Sequence, residues 1–152
     1  MPTLTPEFTF RAYFNVDDIG PGPFGIRQVA TITGGEFSGD RLNGTVVGAG
    51  GDWLLIGPDG FGRLDVRATL KTHDEANIYV QYHGFLQVTE AIAQILGGAK
   101  ESTEFGGQYF FVNPRMETGD ERYAWVNHTL FLGQGRAVAG PAVEYLFYRV
   151  DN

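Results

Sequence analysis

The stretch Arg63-Leu64-Asp65-Val66-Arg67-Ala68-Thr69-Leu70-Lys71 decides the fold class, because polar and apolar residues alternate along all of it. A period of two is typical of a β-strand that turns one face to a core and the other to solvent. The same alternation is clear in residues 8–16 and 77–83. Weaker versions run through residues 26–33, 41–47, 52–57, 107–116, 123–132 and 142–150. The sequence therefore predicts eight or nine strands.

Short turn sequences join these strands. Pro58-Asp59-Gly60 combines a residue of fixed φ with one that accepts a left-handed backbone, and residues 72–75 form another polar reversal. Short connections of this kind join strands that lie side by side and run in opposite directions. The turns therefore predict a meander of antiparallel neighbours.

Only residues 88–96 predict a helix. Their apolar side chains fall on one helical face, and Gly97-Gly98 ends the segment. One short helix cannot cover a sheet of this size, so the sheet must close on itself or fold as a sandwich. We expect an all-β fold, a single antiparallel up-and-down β-barrel of about eight strands with one short helix, in which residues 1–152 form one domain.

The composition favours a globular protein and disfavours several classes of partner. Hydrophobic residues make up 43% of the 152 residues, enough for a core. The 11 Lys and Arg residues are scattered and outnumbered by 18 Asp and Glu, which disfavours nucleic acid and anionic membranes as partners. Residues 1–10 lack the basic and apolar regions of a signal peptide, so we expect a cytoplasmic protein.

Several kinds of catalytic site are also disfavoured. The chain has no cysteine, which excludes thiolate nucleophiles and cysteine-ligated zinc. The three histidines lack the spacing of a metal site, the glycines of residues 48–51 are not followed by the Lys-Ser/Thr of a phosphate loop, and no Gly-x-Ser-x-Gly motif occurs. We therefore expect neither a metal nor a cofactor.

Short motifs follow one another in a fixed order along most of the chain. They are Leu42–Val46, Gly50–Trp53, Pro58–Gly60, Leu64–Arg67, Ile78–Val80, Tyr109-Phe110, Pro114–Thr118 and Tyr123–Asn127. This series resembles the UPF0311 proteins, the DUF3237 family, over residues 7–150. The resemblance implies a barrel of the calycin or allene-oxide-cyclase-like kind. It implies little about activity beyond the action of some relatives on aromatic or polyketide-like molecules, including acid-promoted ring closures without a cofactor.

Asp65 and Arg67 share one face of the strand at residues 63–71. Alternation alone favours a solvated outer face and a weak surface ion pair. Both residues belong to the family motifs, whereas Arg63 and Lys71 do not, and this favours the opposite orientation. We therefore predict that odd-numbered side chains from Arg63 through Asn127 face the interior, where Asp65 supplies a base and Arg67 a cation.

Other residues of the motifs extend this predicted site. Tyr123, Trp125 and Asn127 share one face, and two rings followed by an amide suit an apolar pocket wall with a directed hydrogen bond. Simple core packing is the alternative for Trp125. The remaining predicted substrate-binding residues are Trp53, Tyr79, Tyr109 and Arg115.

Asp52 and Glu117 are the other carboxyl groups within the motifs. Desolvation inside a barrel would raise the pKa of either carboxyl and make it a general acid. The alternatives are a turn hydrogen bond for Asp52 and an ion pair with Arg115 or Arg122 for Glu117. Arg115 itself would bind a carboxylate or enolate, or serve as a structural partner. The predicted catalytic residues are Asp52, Asp65, Arg67 and Glu117.

Three functions are compatible with these residues. The first is a cofactor-free lyase, isomerase or cyclase that acts on a small aromatic or apolar molecule inside the barrel. The second is a lipocalin-like carrier, which needs the same walls but no shifted carboxyl. The third is a structural role as a homo-oligomer, which would leave the interior packed solid. We favour the enzyme.

Overall fold

A computed structural model describes residues 1–152 as ten antiparallel strands, one α-helix and one 3-10 helix. The elements in chain order are β1 (Thr3–Gly22), β2 (Gly25–Gly39), β3 (Asn43–Val46), β4 (Gly51–Ile56), β5 (Phe61–Thr72), β6 (Asn77–Gln87), α1 (Glu90–Leu96), β7 (Phe110–Val112), β8 (Arg115–Glu117), the 3-10 helix (Glu121–His128), β9 (Phe131–Val138) and β10 (Ala142–Asp151). Neither helix is long and apolar enough to cross a membrane.

Eight of the strands form a closed ring in the order β5-β4-β2-β1-β10-β9-β7-β6, in which β6 pairs back onto β5. The two remaining strands are short and lie beside strands of the ring. Like β4, β3 pairs with both β2 and β5; like β7, β8 pairs with β6. All of these pairings are antiparallel, and the pairing of β1 with β10 closes the ring. The predicted up-and-down antiparallel architecture is confirmed.

The helix predicted at residues 88–96 is confirmed from Glu90 onward. Thr89 caps it, because its hydroxyl accepts a hydrogen bond from the backbone N–H of Ile92. Ile92 and Ile95 are buried, which fixes the helix against the ring. The apolar face identified in the sequence is therefore the one that packs.

The strand predicted at residues 123–132 is wrong over most of its length. The 3-10 helix occupies Glu121–His128, and β9 begins only at Phe131. The Asp120 carboxylate caps this helix by accepting a hydrogen bond from the backbone N–H of Arg122. The buried residues Tyr123 and Val126 are three positions apart, which is the repeat of a 3-10 helix.

The even-numbered face of β5 lies inside the ring. Leu64, Val66, Ala68 and Leu70 are each at most 4% exposed, while the residues between them are partly or fully exposed. The predicted orientation, with the odd-numbered face inward, is therefore wrong. The reason is hydrophobic: turning four charged and polar side chains inward would place four apolar ones in water.

The half of the interior farthest from α1 is filled by aromatic rings. The ring of Phe147 stacks on Phe10 at a centroid distance of 5.5 Å and meets the edge of Phe8 at 4.8 Å. The neighbouring strand β9 places Gly133 beside the ring of Phe147 and Gly135 beside the rings of Tyr145 and Phe110. A Cβ atom at Gly133 would lie 2.6 Å from the ring of Phe147, so glycine is required there for the rings to fit.

Gly133→Ala is expected to destabilise the protein by about 1–3 kcal/mol, because the added methyl group overpacks a closed aromatic cluster. Urea unfolding monitored by tryptophan fluorescence measures the change. Gly119→Ala is the control, since a Cβ atom there meets nothing within 4 Å. Equal free energies of unfolding for the two variants would contradict this account of the packing.

Candidate functional site

The half of the ring nearest α1 encloses a cavity. Its volume, counted as the space open to the centre of a water-sized sphere, is about 50 Å³, and 14 of the 16 residues that line it are hydrophobic. The lining residues are Ala12, Phe14, Val16, Gln28, Ala30, Ile32, Asp52, Leu54, Leu64, Val66, Tyr82, Leu86, Leu96, Phe110, Val143 and Tyr145.

Small inward side chains help to keep this cavity open. Along β1, Phe8 and Phe10 fill the far half, whereas Ala12 faces the cavity. On the neighbouring strand, Ala30 likewise leaves space. Val16 and Leu96 are only partly buried, which places the mouth at the end of the ring beside α1.

Asp52 is the one carboxyl group in the cavity wall. It lies on β4, where it pairs with Ala30 of β2 and with Val66 of β5. Val66 is a buried residue of β5, so the Asp52 side chain points to the same side of the sheet, into the ring. Its Oδ1 atom accepts a hydrogen bond of 3.0 Å from the backbone N–H of Asp65. Oδ2 accepts none from the protein, so it is available to a bound molecule.

Burial raises the pKa of the Asp52 carboxyl to about 7. The surface that Asp52 retains faces the cavity, so bulk water does not hydrate its charge well. The backbone N–H of Asp65 and the charge of Arg27 lower this pKa, while the negative charge of Asp65 raises it further. Near neutral pH the carboxyl is therefore present in both forms, as a general acid or base requires.

Two tyrosines face the same cavity. Val66 pairs with Asp52 on one side and with Tyr82 on the other, so these two polar side chains lie in one row across β4, β5 and β6. Tyr145 on β10 meets the ring of Tyr82 edge to face, with centroids 5.5 Å apart. The buried hydroxyl of Tyr145 has no hydrogen-bond partner in the protein.

Both phenols remain protonated at neutral pH. Burial is the main cause that raises the pKa of Tyr82 and of Tyr145, and the negative charge of Asp52 contributes in each case. A protonated phenol in an apolar cavity donates a strong hydrogen bond. The site thus combines one proton-exchanging carboxyl with two hydrogen-bond donors, and no group of three His, Asp or Glu side chains is placed to hold a metal ion.

Of the predicted catalytic residues, the structure places only Asp52 in the cavity. Asp65 and Arg67 lie on the outer wall of β5, where Oδ1 of Asp65 is 3.3 Å from Nε2 of His83. Glu117 is exposed on β8. Their predicted place in the interior is wrong, because they alternate with the apolar residues that the ring buries.

Four of the predicted residues meet in a groove on the outer surface instead. Tyr79, Arg115, Glu117 and Asn127 line it together with Gln81. The Tyr79 hydroxyl donates to Oε1 of Gln81 at 3.0 Å. These residues come together through the pairing of β6 with β8, on the face that points away from the cavity.

Asn127 has a structural role in this region. Its side chain accepts a hydrogen bond of 2.8 Å from the backbone N–H of Thr118 and donates one of 3.0 Å to the backbone C=O of the same residue. These two bonds fix the turn that leads from β8 into the 3-10 helix. The amide therefore has its partners within the protein.

The remaining predicted aromatic residues also lie outside the cavity. Tyr123 is buried at the end of the ring farthest from α1, and its hydroxyl donates a hydrogen bond of 2.7 Å to Oδ1 of Asp74. Trp125 packs beneath the guanidinium of Arg41, whose Cζ atom lies 3.7 Å from the centroid of the Trp125 ring. Trp53 and Tyr109 are 42% and 52% exposed on the outer surface. Their predicted place in the interior pocket is wrong as well.

Gln28, Tyr82 and Tyr145 line the cavity but were absent from the predicted site. The sequence carries one signal for Tyr82, which occupies the same phase of β6 as the apolar residues Ile78 and Val80. A polar group in the phase of buried residues points into the interior. Asp52, in phase with Leu54, carries the same signal.

Comparison with known proteins identifies the family. The family model described as "Protein of unknown function (DUF3237)" matches residues 2–150. The chain belongs to the DUF3237 family. A UPF0311 protein of Rhodopseudomonas palustris is 30% identical to it over 136 residues, which are 87% of this chain and 88% of that protein. The family resemblance seen in the sequence motifs is confirmed.

One fungal protein is a more distant relative of this DUF3237 protein, and one fungal enzyme shares its fold. PR-toxin biosynthesis cluster protein 7 of Penicillium roqueforti is 26% identical over 146 residues, 82% of this chain and 78% of that protein. The crystal structure of an enzyme from Penicillium herquei shares the fold at 21% identity, with a TM-score of 0.68 over 99% of this chain and 95% of that chain.

A bacterial structure is more similar. The crystal structure of a conserved protein of unknown function from Rhodopseudomonas palustris has a TM-score of 0.87 at 27% identity, covering 99% of this chain and 98% of that chain. The fold of this DUF3237 protein is therefore also that of an experimentally determined relative.

Asp52→Asn is expected to change how stability depends on pH. The folded protein keeps the Asp52 proton up to a pKa of about 7, whereas the unfolded chain loses it near 3.8. Between these values the wild type loses about 1.4 kcal/mol of unfolding free energy per pH unit through this group, and the Asn variant does not. Urea unfolding from pH 5 to pH 8 measures the divergence.

Asp40→Asn is the matched control, because Asp40 is exposed at the other end of the ring. We expect its unfolding free energy to run parallel to that of the wild type across this pH range. Parallel behaviour of Asp52→Asn would contradict the raised pKa of this carboxyl.

Proposed function

We propose that this protein is a cofactor-free acid–base enzyme, a lyase, isomerase or cyclase, that acts on a small aromatic or apolar molecule held inside the ring. The supporting observation is the Asp52 carboxyl, which has a pKa of about 7 and lies in an otherwise apolar cavity. A group that exchanges its proton near the working pH is the most effective general acid or base.

In this proposal Asp52 carries the proton, and the two phenols stabilise the charge that develops. As a base the carboxylate takes a proton from the bound molecule; as an acid the carboxyl donates one. Tyr82 and Tyr145 then donate hydrogen bonds to an oxygen that becomes negative. Fixed donors in a cavity of low polarity stabilise such charge more strongly than water does.

Two similar proteins support the assignment of an enzyme, one through its fold and the other through its name. The Penicillium herquei protein that shares this fold is an enzyme, and the Penicillium roqueforti relative is named for a biosynthesis cluster. Neither name specifies a reaction for this chain. The lyase, isomerase or cyclase activity rests on the chemistry of the cavity.

A non-catalytic carrier is the second candidate. It is favoured by the cavity wall, which is hydrophobic at 14 of 16 positions, as expected of a site that binds an apolar molecule. A carrier has no need of a carboxyl with a raised pKa, since burying that group costs stability above neutral pH. This carboxyl is the reason that the enzyme is preferred.

Asp52→Asn is expected to reduce turnover by a factor of about 10²–10⁴, the usual contribution of a general acid or base. Purified protein is incubated with a panel of small aromatic and apolar ketones, phenols and enols, and products are followed by mass spectrometry. The pH–rate profile of the wild type is expected to inflect near pH 7, the pKa of Asp52. The rate rises through this pH if Asp52 acts as base and falls if it acts as acid.

Asp40→Asn serves again as control and is expected to keep the wild-type rate. If Asp52→Asn turns over substrate as fast as this control, the acid–base proposal is wrong. If compounds bind equally to wild type and Asp52→Asn and none is converted, the carrier is the correct function.

A further inference from the structure

The cavity contains a polar group that the protein itself leaves unpaired, and this group indicates what the ligand must offer. We propose that the bound molecule is electrically neutral and carries a ketone or enol oxygen that accepts a hydrogen bond from the Tyr145 hydroxyl. This inference rests on the proposed function, because it names the substrate class for the same site.

The charges in the wall disfavour anionic ligands. Asp52 is the one carboxyl among the lining residues, and Lys, Arg and His are absent from them. An anionic ligand would enter an apolar cavity without a counter-charge and would lie near the Asp52 carboxylate. Burying an unpaired charge costs far more than one hydrogen bond returns, so carboxylates and phosphates are poor ligands here.

The Tyr145 hydroxyl indicates which polar atom the ligand carries. Tyr145 is 0% exposed, and its hydroxyl lies near the Tyr82 phenol but forms no hydrogen bond of good geometry with any group of the protein. The phenol keeps its proton, so the unpaired group is a donor that requires an acceptor. A carbonyl or enolate oxygen is an acceptor; an ammonium ion has none to offer and would leave the donor unpaired.

The placement of Asp52 indicates where the ligand reacts. Asp52 and Tyr82 lie in one row with Val66 between them, so they are two strand spacings apart, or about 10 Å between Cα atoms. A flat ketone between these strands can direct its oxygen to the phenols and the neighbouring carbon to Asp52. Oδ2 of Asp52 accepts no hydrogen bond from the protein and is free for this contact.

The reaction that this geometry favours is reversible enolisation. The Asp52 carboxylate takes a proton from the carbon beside the carbonyl, and the electrons of that C–H bond form a C=C bond. The π electrons of the carbonyl move onto oxygen, giving an enolate that accepts hydrogen bonds from Tyr145 and Tyr82. Asp52 then returns the proton to the same or a conjugated carbon, so no oxidant, reductant or co-reactant is consumed.

Three probes with the same aromatic ring system test the ligand class: 2-acetylnaphthalene, 2-naphthoate and 2-naphthylmethylammonium. Binding to the wild-type protein is measured by calorimetry at pH 8, where Asp52 is largely ionised. The neutral ketone is expected to bind at least tenfold more tightly than either ion. Equal or tighter binding of an ion, or no detectable binding of the ketone, overturns the proposal.

Tyr145→Phe tests the hydroxyl that donates the proposed hydrogen bond. It removes only an unpaired hydroxyl and retains the packed ring, so the variant is expected to fold. Affinity for 2-acetylnaphthalene is expected to fall about fivefold to tenfold, the loss of one hydrogen bond. Tyr148→Phe is the control, because Tyr148 belongs to the alternate face of β10. An unchanged affinity in Tyr145→Phe overturns the assignment.

Deuterium exchange separates this inference from the proposed function. In D₂O the α-protons of 2-acetylnaphthalene exchange through the enolate, and proton NMR follows their loss. Wild type is expected to accelerate exchange at least tenfold relative to Asp52→Asn. Absence of acceleration, with binding still dependent on Tyr145, overturns the enolisation step and the enzyme proposal but retains the neutral ligand class.

Discussion

The interior of this molecule exists because β1 pairs with β10. The pairing joins the two ends of the chain from Thr3 opposite Asp151 to Tyr13 opposite Ala142, and it turns a meander into a ring. Without this pairing the sheet has two open edges, and its apolar face meets water. On the outer wall the Glu144 carboxylate of β10 pairs with Arg11 across this seam and with Arg136 of β9 on the other side. Closure therefore creates the interior in which all the proposed chemistry takes place.

The interior is filled unevenly, and this unevenness creates the site. Aromatic rings occupy one half, where the glycines of β9 allow close approach, while small side chains such as Ala12 and Ala30 leave the other half open. Asp52 belongs to the open half, so its charge lacks both bulk water and a cationic partner in the wall. The same desolvation keeps the phenols of Tyr82 and Tyr145 protonated. Packing thus sets the protonation state of all three groups.

The sequence predicted the architecture well because alternation, turns and one amphipathic helix depend on local chemistry. It failed on orientation, since membership of Asp65 and Arg67 in family motifs was given more weight than the apolar phase of Leu64 and Val66. Asp52 was identified as a candidate because it is a carboxyl within a motif. Tyr145 carries the same signal as Tyr82, since it shares the phase of Val143 and Phe147, but its neighbours in the cavity depend on ring closure and on strand pairings distant in sequence. Hydrophobic phase was the more reliable guide to which residues face the interior.

Ring closure places the Asp52 carboxyl in an apolar cavity, where it exchanges its proton near neutral pH. The most direct measurement is a ¹³C NMR titration of the side-chain carboxyl carbons, with the Asp52 signal assigned by its loss in Asp52→Asn. This signal is expected to titrate with a pKa of about 7. Titration near 3.8, the ordinary value for aspartate, would contradict it.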